Sequence, residues 1–216
     1  MTGPVSGVVL AAGLSTRFES ACGEDARIPG KNVAGAKRPK QLYRIGGESL
    51  VRRTCREALA SGLAEVILVT GHAEREVKEE VADLDLLLAH NPAYRDGQSG
   101  SVRRGLARVS ERAAGAMFLP VDQPGLEAAV IDRLLDAFDG PASIVVPTYR
   151  GRRGAPVTFG RSWFGHLNRL RGDEGARPLL QELAPHVIEV DLETELPLVD
   201  IDTEGEARSW AEKTGQ

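Results

Sequence analysis

The sequence predicts an α/β fold in which a mostly parallel β-sheet carries helices on both faces. Short apolar runs rich in β-branched residues, typical of buried parallel strands, alternate with stretches whose apolar residues recur at helical spacing. Such repeated βα units imply parallel strands joined by helical crossovers. A glycine- and arginine-rich turn over residues 149–154 separates two further β runs and predicts a hairpin, so the sheet should be mixed.

The predicted elements follow one another in a regular order. The first strand, over residues 7–11, ends in a turn of small residues. The further strand candidates cover residues 65–70, 84–88, 116–121, 143–148, 156–159, 187–191 and 198–201. The helix candidates cover residues 50–59, 73–81, 102–109, 130–138, 162–170 and 176–183. The last apolar residues of the 50–59 pattern precede Gly62, a typical helix stop.

The composition narrows the class of protein. The 216 residues are 42% hydrophobic and 27% charged, which favours one globular domain spanning residues 1–216. A net charge of −4 and an aromatic share of 5% argue against a general nucleic-acid-binding protein, because such proteins need a basic face and stacking platforms. The apolar runs are too short to span a membrane, and the N-terminal stretch lacks the basic residues of a signal peptide. We therefore expect a cytoplasmic protein without membrane association.

Residues 19–39 interrupt the alternation of strands and helices. This stretch holds three glycines and two prolines, has no apolar period and contains more basic than acidic residues, so we predict a loop. Structureless segments of this length in a compact domain are usually either functional lids or disordered. Two interpretations therefore stay open: a mobile cationic lid over a bound polyphosphate, or a flexible insert without a role.

The turn after the first strand is a candidate phosphate site. Ala11, Ala12 and Gly13 let backbone N–H groups approach an anion closely, and Arg17 adds a fork of donors suited to phosphate oxygens. Nucleotides tend to bind at such strand-to-loop turns of α/β sheets. The alternative is a plain turn without a ligand. No G-x-G-x-x-G and no complete Walker A motif follows, which disfavours a dinucleotide dehydrogenase and a P-loop hydrolase.

Aspartates after two β runs are candidate metal ligands. Asp122 lies between Pro120 and Pro124 at the end of a buried strand, where a carboxylate without a partner is costly. A divalent cation that bridges to phosphates would supply the partner, since Mg²⁺ takes one or two carboxylates plus phosphate oxygens. Asp200 and Asp202 offer a second carboxylate. The alternative for Asp122 is that it caps the following helix, and Asp202 or Thr203 could cap a helix that begins near Glu204.

The loop over residues 91–101 leads into the helix candidate at 102–109 and carries Ser99 and Ser101. Small hydroxyl residues at a helix N-terminus make a natural site for a base edge or a phosphate, but they also cap the helix. Both interpretations of these serines stay open. Residues 172–177, between two helical patterns, predict a helix–helix turn with a charged tip.

Seven segments, taken together, resemble the molybdenum cofactor cytidylyltransferase family, within the wider group of nucleotidyltransferases with a Rossmann-like fold. They stand in the family's order and cover nearly the whole chain. The segments are LAAGLSTRF (10–18), PKQL (39–42), NPAYRDGQSGSVRRGL (91–106), VDQPGL (121–126), GRRGAPVTF (151–159), GDEGARPLL (172–180) and DIDT (200–203).

The resemblance implies a nucleotidyl transfer from an NTP, with CTP favoured by Ala12, to a phosphate-bearing acceptor such as molybdopterin, releasing pyrophosphate. The product would pass to a molybdoenzyme. Catalysis would rest on Arg17, Lys40 and Asp122, with Mg²⁺ as the cofactor, held by Asp122 together with Asp202 or Asp200. The residues implied to bind the nucleotide are Leu10, Ala11, Ala12, Gly13, Arg17, Lys40, Gly97, Ser99 and Ser101. Those implied to bind or enclose the acceptor are Gly154, Pro156, Asp173 and Arg177.

Three features depart from the family's pattern. Phe18 follows the arginine where methionine is usual, 22 residues (18 to 39) separate Arg17 from Lys40, and Ala155 replaces a common histidine. The Pro39-Lys40-Gln41 segment is also similar to the cytidylyltransferases of isoprenoid synthesis, which lack the GDEGAR-like segment. The alternatives are therefore a cytidylyltransferase of isoprenoid or sugar-phosphate type, or a non-catalytic accessory protein that binds nucleotide or cofactor.

Overall fold

The computed structural model describes residues 2–14, 39–175 and 177–216, and these contain a mixed sheet of eight strands. The strands are β1 (Val5–Ala11), β4 (Glu65–Thr70), β5 (Leu87–His90), β6 (Gly115–Pro120), β7 (Ile144–Tyr149), β8 (Arg152–Arg153), β9 (Val157–Gly160) and β10 (Val187–Asp191). Their order is β10-β7-β9-β6-β1-β4-β5, and β8 pairs with β7. The predicted α/β fold with a mixed, mostly parallel sheet is thereby confirmed.

The central strands are parallel and end at one edge of the sheet. Strand β1 pairs in parallel with β4 on one side and with β6 on the other, and β5 continues in parallel beside β4. The exceptions are β9, which runs antiparallel to β6 and β7, and β8, which forms the predicted hairpin with β7. The segments that follow β1, β4 and β6 therefore meet at the carboxyl edge, where α/β sheets bind ligands.

Helices cover both faces of the sheet because the strands are apolar on both sides. On one face Val9 and Leu68 pack in a cluster with residues of the first, second and fourth helices, and on the other Val8 and Val69 pack with residues of the third, fifth and sixth. The helices are α1 (Leu50–Ala60), α2 (Glu74–Glu80), α3 (Gln98–Leu106), α4 (Ala128–Asp136), α5 (Phe164–Leu167), α6 (Arg177–Glu182) and α7 (Glu204–Thr214). None of the helices in the described part of the chain is long and apolar enough to cross a membrane.

A separate two-stranded hairpin packs against the final helix. The hairpin of β2 (Arg44–Ile45) and β3 (Glu48–Ser49) leads into α1, and its Ile45 packs with Ile201 and with Trp210 of α7. The final helix thereby holds the chain at residues 200–203 against the body of the fold.

Four sequence expectations need correction. The helix expected over 102–109 is α3, shifted to Gln98–Leu106. Residues 198–201 form no strand: Leu196–Leu198 is a 3-10 turn, and Ile201 makes a single backbone hydrogen bond to Asp122 instead of a ladder. The strand expected at 84–88 is β5, shifted to Leu87–His90. The helix expected over 162–170 is reduced to a 3-10 turn at Arg161–Trp163 followed by the short α5.

Candidate active site

Lys40 joins two aspartates from distant parts of the chain. Its Nζ donates to Asp122 Oδ2 at 2.8 Å and to Asp202 Oδ1 at 2.7 Å. Pro39 is extended and a 3-10 turn begins at Lys40, which directs the lysine towards the carboxyl edge of the sheet. Only 8% of Lys40 is exposed to solvent. A lysine buried to this degree needs carboxylate partners, so the three residues act as one ionic cluster.

The positions of the two aspartates follow from the local structure around them. Asp122 comes two residues after β6, and its backbone carbonyl accepts a hydrogen bond from the Ile201 amide at 2.8 Å. Thr203 begins α7 with a complete capping box closed by Glu206, so Asp202 stands just outside the helix. The helix after Asp122 begins only at Ala128. Capping is therefore wrong as an explanation of Asp122 and Asp202, whereas the alternative that Thr203 caps the last helix is confirmed.

The single positive charge of Lys40 only partly neutralises the two carboxylates that it contacts. Burial by itself would lower the Lys40 pKa, but the two carboxylates outweigh it and hold that pKa above its ordinary value. Two carboxylates facing one ammonium leave a net negative charge. Within residues 2–14, 39–175 and 177–216, no group of three histidine, cysteine, aspartate or glutamate side chains lies close enough to hold a metal ion. Asp122 and Asp202 nevertheless suit Mg²⁺, which commonly uses one or two carboxylates with phosphate oxygens completing its shell.

Asp200 belongs to a different pair. Gln123 Nε2 donates to Asp200 Oδ1 at 2.9 Å, and Gln123 is 3% exposed. Asp200 is exposed as a residue, but partial desolvation of its carboxyl and the negative charge of Asp122 raise its pKa above the ordinary value. Sequence reasoning missed Gln123, although its place between Asp122 and Pro124 was a usable signal. Two carboxylates were proposed as partners of Asp122. In the structure Asp202 accepts a hydrogen bond from Lys40, as Asp122 does, whereas Asp200 accepts one from Gln123.

The raised pKa of Asp200 predicts a pH-dependent gain in stability for Asp200→Asn. An acid whose pKa is raised by folding loses stability as the pH rises from its unfolded pKa, about 4, through its folded pKa. The asparagine keeps an oxygen for Gln123 and carries no charge. We therefore expect a higher Tm than wild type at pH 7 and a vanishing difference towards pH 4, measured by thermal unfolding. The exposed Asp139, changed to asparagine, is the control. A Tm gain equal at pH 4 and pH 7 would contradict the assignment.

The chain after β1 is held by a network that includes Gln41 and His72. The His72 amide donates to the Ala12 carbonyl at 3.2 Å, and Gln41 Nε2 donates to the His72 carbonyl at 3.2 Å. Ala11 and Ala12 are buried, whereas Gly13 is exposed and a Cβ built on it would meet no atom within 4 Å. The network thus fixes the turn while the backbone at Gly13 stays open to a ligand. Gln41 stands in the PKQL segment, but neither Gln41 nor His72 was predicted as a site residue from the sequence.

The loop before α3 contacts the turn after α5. Gly97 has φ +102°, and a Cβ there would lie 2.2 Å from the Gly172 carbonyl carbon. The Ser99 amide donates to the Gly172 carbonyl at 3.1 Å. Gly97 stands at the N-cap of α3 and no side chain caps this helix. Of the two interpretations left open for Ser99 and Ser101, helix capping is therefore wrong. The structure instead joins the implied nucleotide loop to the implied acceptor turn.

The hydroxyls of the two serines have different surroundings. Ser101 Oγ accepts a hydrogen bond from Asn91 Nδ2 at 3.0 Å, so this hydroxyl supports the loop. Ser99 is 1% exposed, and its Oγ is buried without a hydrogen-bond partner among the described residues.

A cleft of about 730 Å³ opens beside Asp122, Gln123 and Asp200. Apolar residues from the sheet and from the helices that cover it form its floor, namely Leu10, Val102, Phe118, Val157, Phe159, Leu167, Leu170 and Leu180. Charged residues at its rim include Arg152, Arg153, Asp173, Arg177 and Glu195. The cleft therefore combines an apolar interior with a charged rim, at the end where the ionic cluster lies.

A family model describing the MobA-like NTP transferase domain matches residues 7–187. The chain belongs to the MobA-like NTP transferase family. Among curated proteins it is 30% identical over 190 residues to the purine catabolism protein PucB of Bacillus subtilis, covering 81% of this chain and 80% of that protein. A match to GlmU of Sorangium cellulosum is 27% identical and covers 73% of this chain, which spans 31% of that longer protein.

Among solved structures, Rv0371c of Mycobacterium tuberculosis resembles this MobA-like chain along its length. The two share 30% identity with a TM-score of 0.78, covering 98% of this chain and 100% of Rv0371c. A manganese complex of Rv0371c aligns with a TM-score of 0.74 and 29% identity. The family and these structures confirm the predicted nucleotidyltransferase fold.

The MobA-like fold brings several sequence-predicted residues together and leaves others apart. Gly154, Asp173 and Arg177 line the cleft, as does Ala155. Pro156 is absent from the lining and follows Ala155 through a cis peptide bond. Leu10 lines the cleft from β1. Arg17 and residues 19–38 of the expected insert lie outside the described residues.

Proposed function

We propose that this MobA-like protein transfers a nucleoside monophosphate, CMP from CTP, to the phosphate of a molybdopterin-type acceptor. The acceptor phosphate would attack the α-phosphorus in line, form the new P–O bond and expel pyrophosphate. One observation carries the proposal: Lys40, Asp122 and Asp202 form an ionic cluster at the sheet edge where the open turn after β1 and the large cleft meet. Family membership supports the reaction class.

A divalent cation fits the Asp122–Asp202 pair. Both carboxylates reach one ammonium within 2.8 Å, so they converge on a single cationic position. The manganese complex of the similar Rv0371c supports a metal at such a fold, and we expect Mg²⁺ here. When bound, the cation would neutralise charge on the phosphates. Asp200 would stand behind this pair, held by Gln123.

The chain's own residues would position the nucleotide. The backbone at Ala11–Gly13 would face the phosphates, with Lys40 and Arg17 supplying positive charge. The loop from Gly97 to Ser101 would contact the base or ribose, and Ala12 favours cytosine by family analogy. No covalent enzyme intermediate is needed, because positioning and charge neutralisation can carry phosphoryl chemistry.

The cleft supports an acceptor with a planar, poorly hydrated body and an anionic group. Its aromatic and aliphatic floor suits a fused heteroaromatic ring, while Gly154, Pro156, Asp173 and Arg177 would shape and close the acceptor side. A sugar phosphate would place hydroxyls against that floor without partners, at a cost for each unmade hydrogen bond. An accessory protein that only binds nucleotide has less use for the buried lysine–carboxylate cluster.

The deciding experiment measures pyrophosphate release with CTP, GTP, ATP and UTP, each with molybdopterin, with a sugar phosphate or without acceptor. We expect release with CTP and molybdopterin together. Release with a sugar phosphate instead would favour the isoprenoid or sugar-phosphate alternative. Binding of CTP without release under any combination would identify an accessory protein.

A further inference from the structure

We propose that Lys40 and the divalent cation compete for the same pair of carboxylates, and that nucleotide phosphates draw the lysine away. One part of this inference rests on the proposed function: that the anion to which the Lys40 ammonium moves is a nucleotide triphosphate. Its competition step stands on the contacts of Lys40 with Asp122 and Asp202 alone. It makes Lys40 a counter-ion before nucleotide binds and a phosphate ligand afterwards.

The geometry leaves one central position between the two carboxylates. Lys40 Nζ lies at hydrogen-bond distance from one oxygen of each, and its side chain is 10% exposed, so the ammonium is enclosed rather than peripheral. A divalent cation that joins the same oxygens has to replace this ammonium, because two cations at one position repel each other strongly. The lysine therefore opposes cation binding as long as it stays on the aspartates.

Bound nucleotide would change the competition between Lys40 and the divalent cation for the two aspartates. A triphosphate brings several negative oxygens to the sheet edge, and a lysine has a flexible four-carbon stem that can direct its ammonium to a new partner. Moving from carboxylate to phosphate keeps the lysine paired and frees both aspartates. Cation and nucleotide should therefore bind with positive coupling, each favouring the other.

The first test measures Mn²⁺ binding without nucleotide, by electron paramagnetic resonance of the free ion. We expect Lys40→Met and Lys40→Gln to bind Mn²⁺ about tenfold or more tightly than wild type, because the competing charge is gone. Lys78→Met, which removes a partly exposed lysine that pairs with Glu74 on α2 and not with the two aspartates, should match wild type. The double variant Lys40→Met with Asp122→Asn should lose the gain. Unchanged or weaker Mn²⁺ binding in both Lys40 variants would overturn the proposal.

A second test uses wild-type protein and so needs no variant to fold. The reactivity of each lysine towards an amine-acetylating reagent is followed by peptide mass spectrometry. Mn²⁺ alone should raise the modification rate of Lys40 several-fold and leave Lys78 unchanged, and Mn²⁺ with CTP should protect Lys40 again. An unchanged Lys40 rate with Mn²⁺ would overturn the competition. Mn²⁺-enhanced reactivity without protection by any NTP would keep the competition and reject the proposed nucleotide function.

Discussion

Asp122→Asn should lower nucleotidyl transfer by about a hundredfold or more at saturating Mg²⁺, while the protein stays folded. The substitution removes one of the two charges that the proposed cation site offers, and loss of a preorganised charge at a reacting phosphate has effects of this size. Lys40 keeps Asp202 as a partner in the variant, so no buried cation is left alone. The measurement is pyrophosphate release at saturating CTP and acceptor, with thermal unfolding as the check on folding.

The matched control for this variant is Asp139→Asn, which removes the same charge from an exposed loop beyond α4. It should keep wild-type turnover. Near-normal turnover of Asp122→Asn would reject Asp122 as a metal ligand and return its role to the ionic cluster with Lys40.

The second large effect is expected from Gly97→Ala. A Cβ at this position would lie 2.2 Å from the carbonyl carbon of Gly172, a backbone atom, so the turn from Gly172 to Gly175 has to move. That turn lines the cleft through Asp173 and Gly175. Displacing it by about an ångström should lower kcat/KM for the acceptor on the order of a hundredfold. Steady-state kinetics with CTP and acceptor varied separately would measure the effect.

Gly140→Ala is the control that distinguishes the effect of the Gly97–Gly172 contact from the effect of backbone strain. Gly140 has φ +107°, close to the +102° of Gly97, but a Cβ there would meet nothing within 4 Å. Both variants should lose stability, because both place a side chain in a conformation that favours glycine. Gly97→Ala should lose more, because its Cβ also meets the backbone of Gly172. Only Gly97→Ala should lose acceptor kinetics. Equal kinetics in the two variants would show that the contact between residues 97 and 172 has no part in catalysis.

Local patterns in the sequence were enough to predict the fold class. The apolar runs at 65–70 and 116–121 became the strands β4 and β6, since residues that are apolar on both faces of a strand need helices on both faces. The hairpin after β7 followed from its glycine- and arginine-rich turn. Asp122 was predicted as a site residue from local sequence, because prolines on both sides of a carboxylate at a strand end form an unusual pattern.

The partners of each site residue were decided by the tertiary structure. Lys40 lies 82 residues from Asp122 and 162 from Asp202, and no periodicity along the chain encodes pairs so distant. The structure also decides that Asp202 contacts Lys40 whereas Asp200 contacts Gln123, a difference that the two neighbouring positions in the sequence do not predict. The contact between Gly97 and Gly172 likewise joins two loops through backbone atoms, which have the same chemistry in every residue. The sequence by itself determined which side chains could take part in chemistry and which strand ends carry them. The tertiary structure decided which of these side chains pair with one another, because hydrogen bonds and ion pairs form only where the fold brings their atoms within about 3 Å.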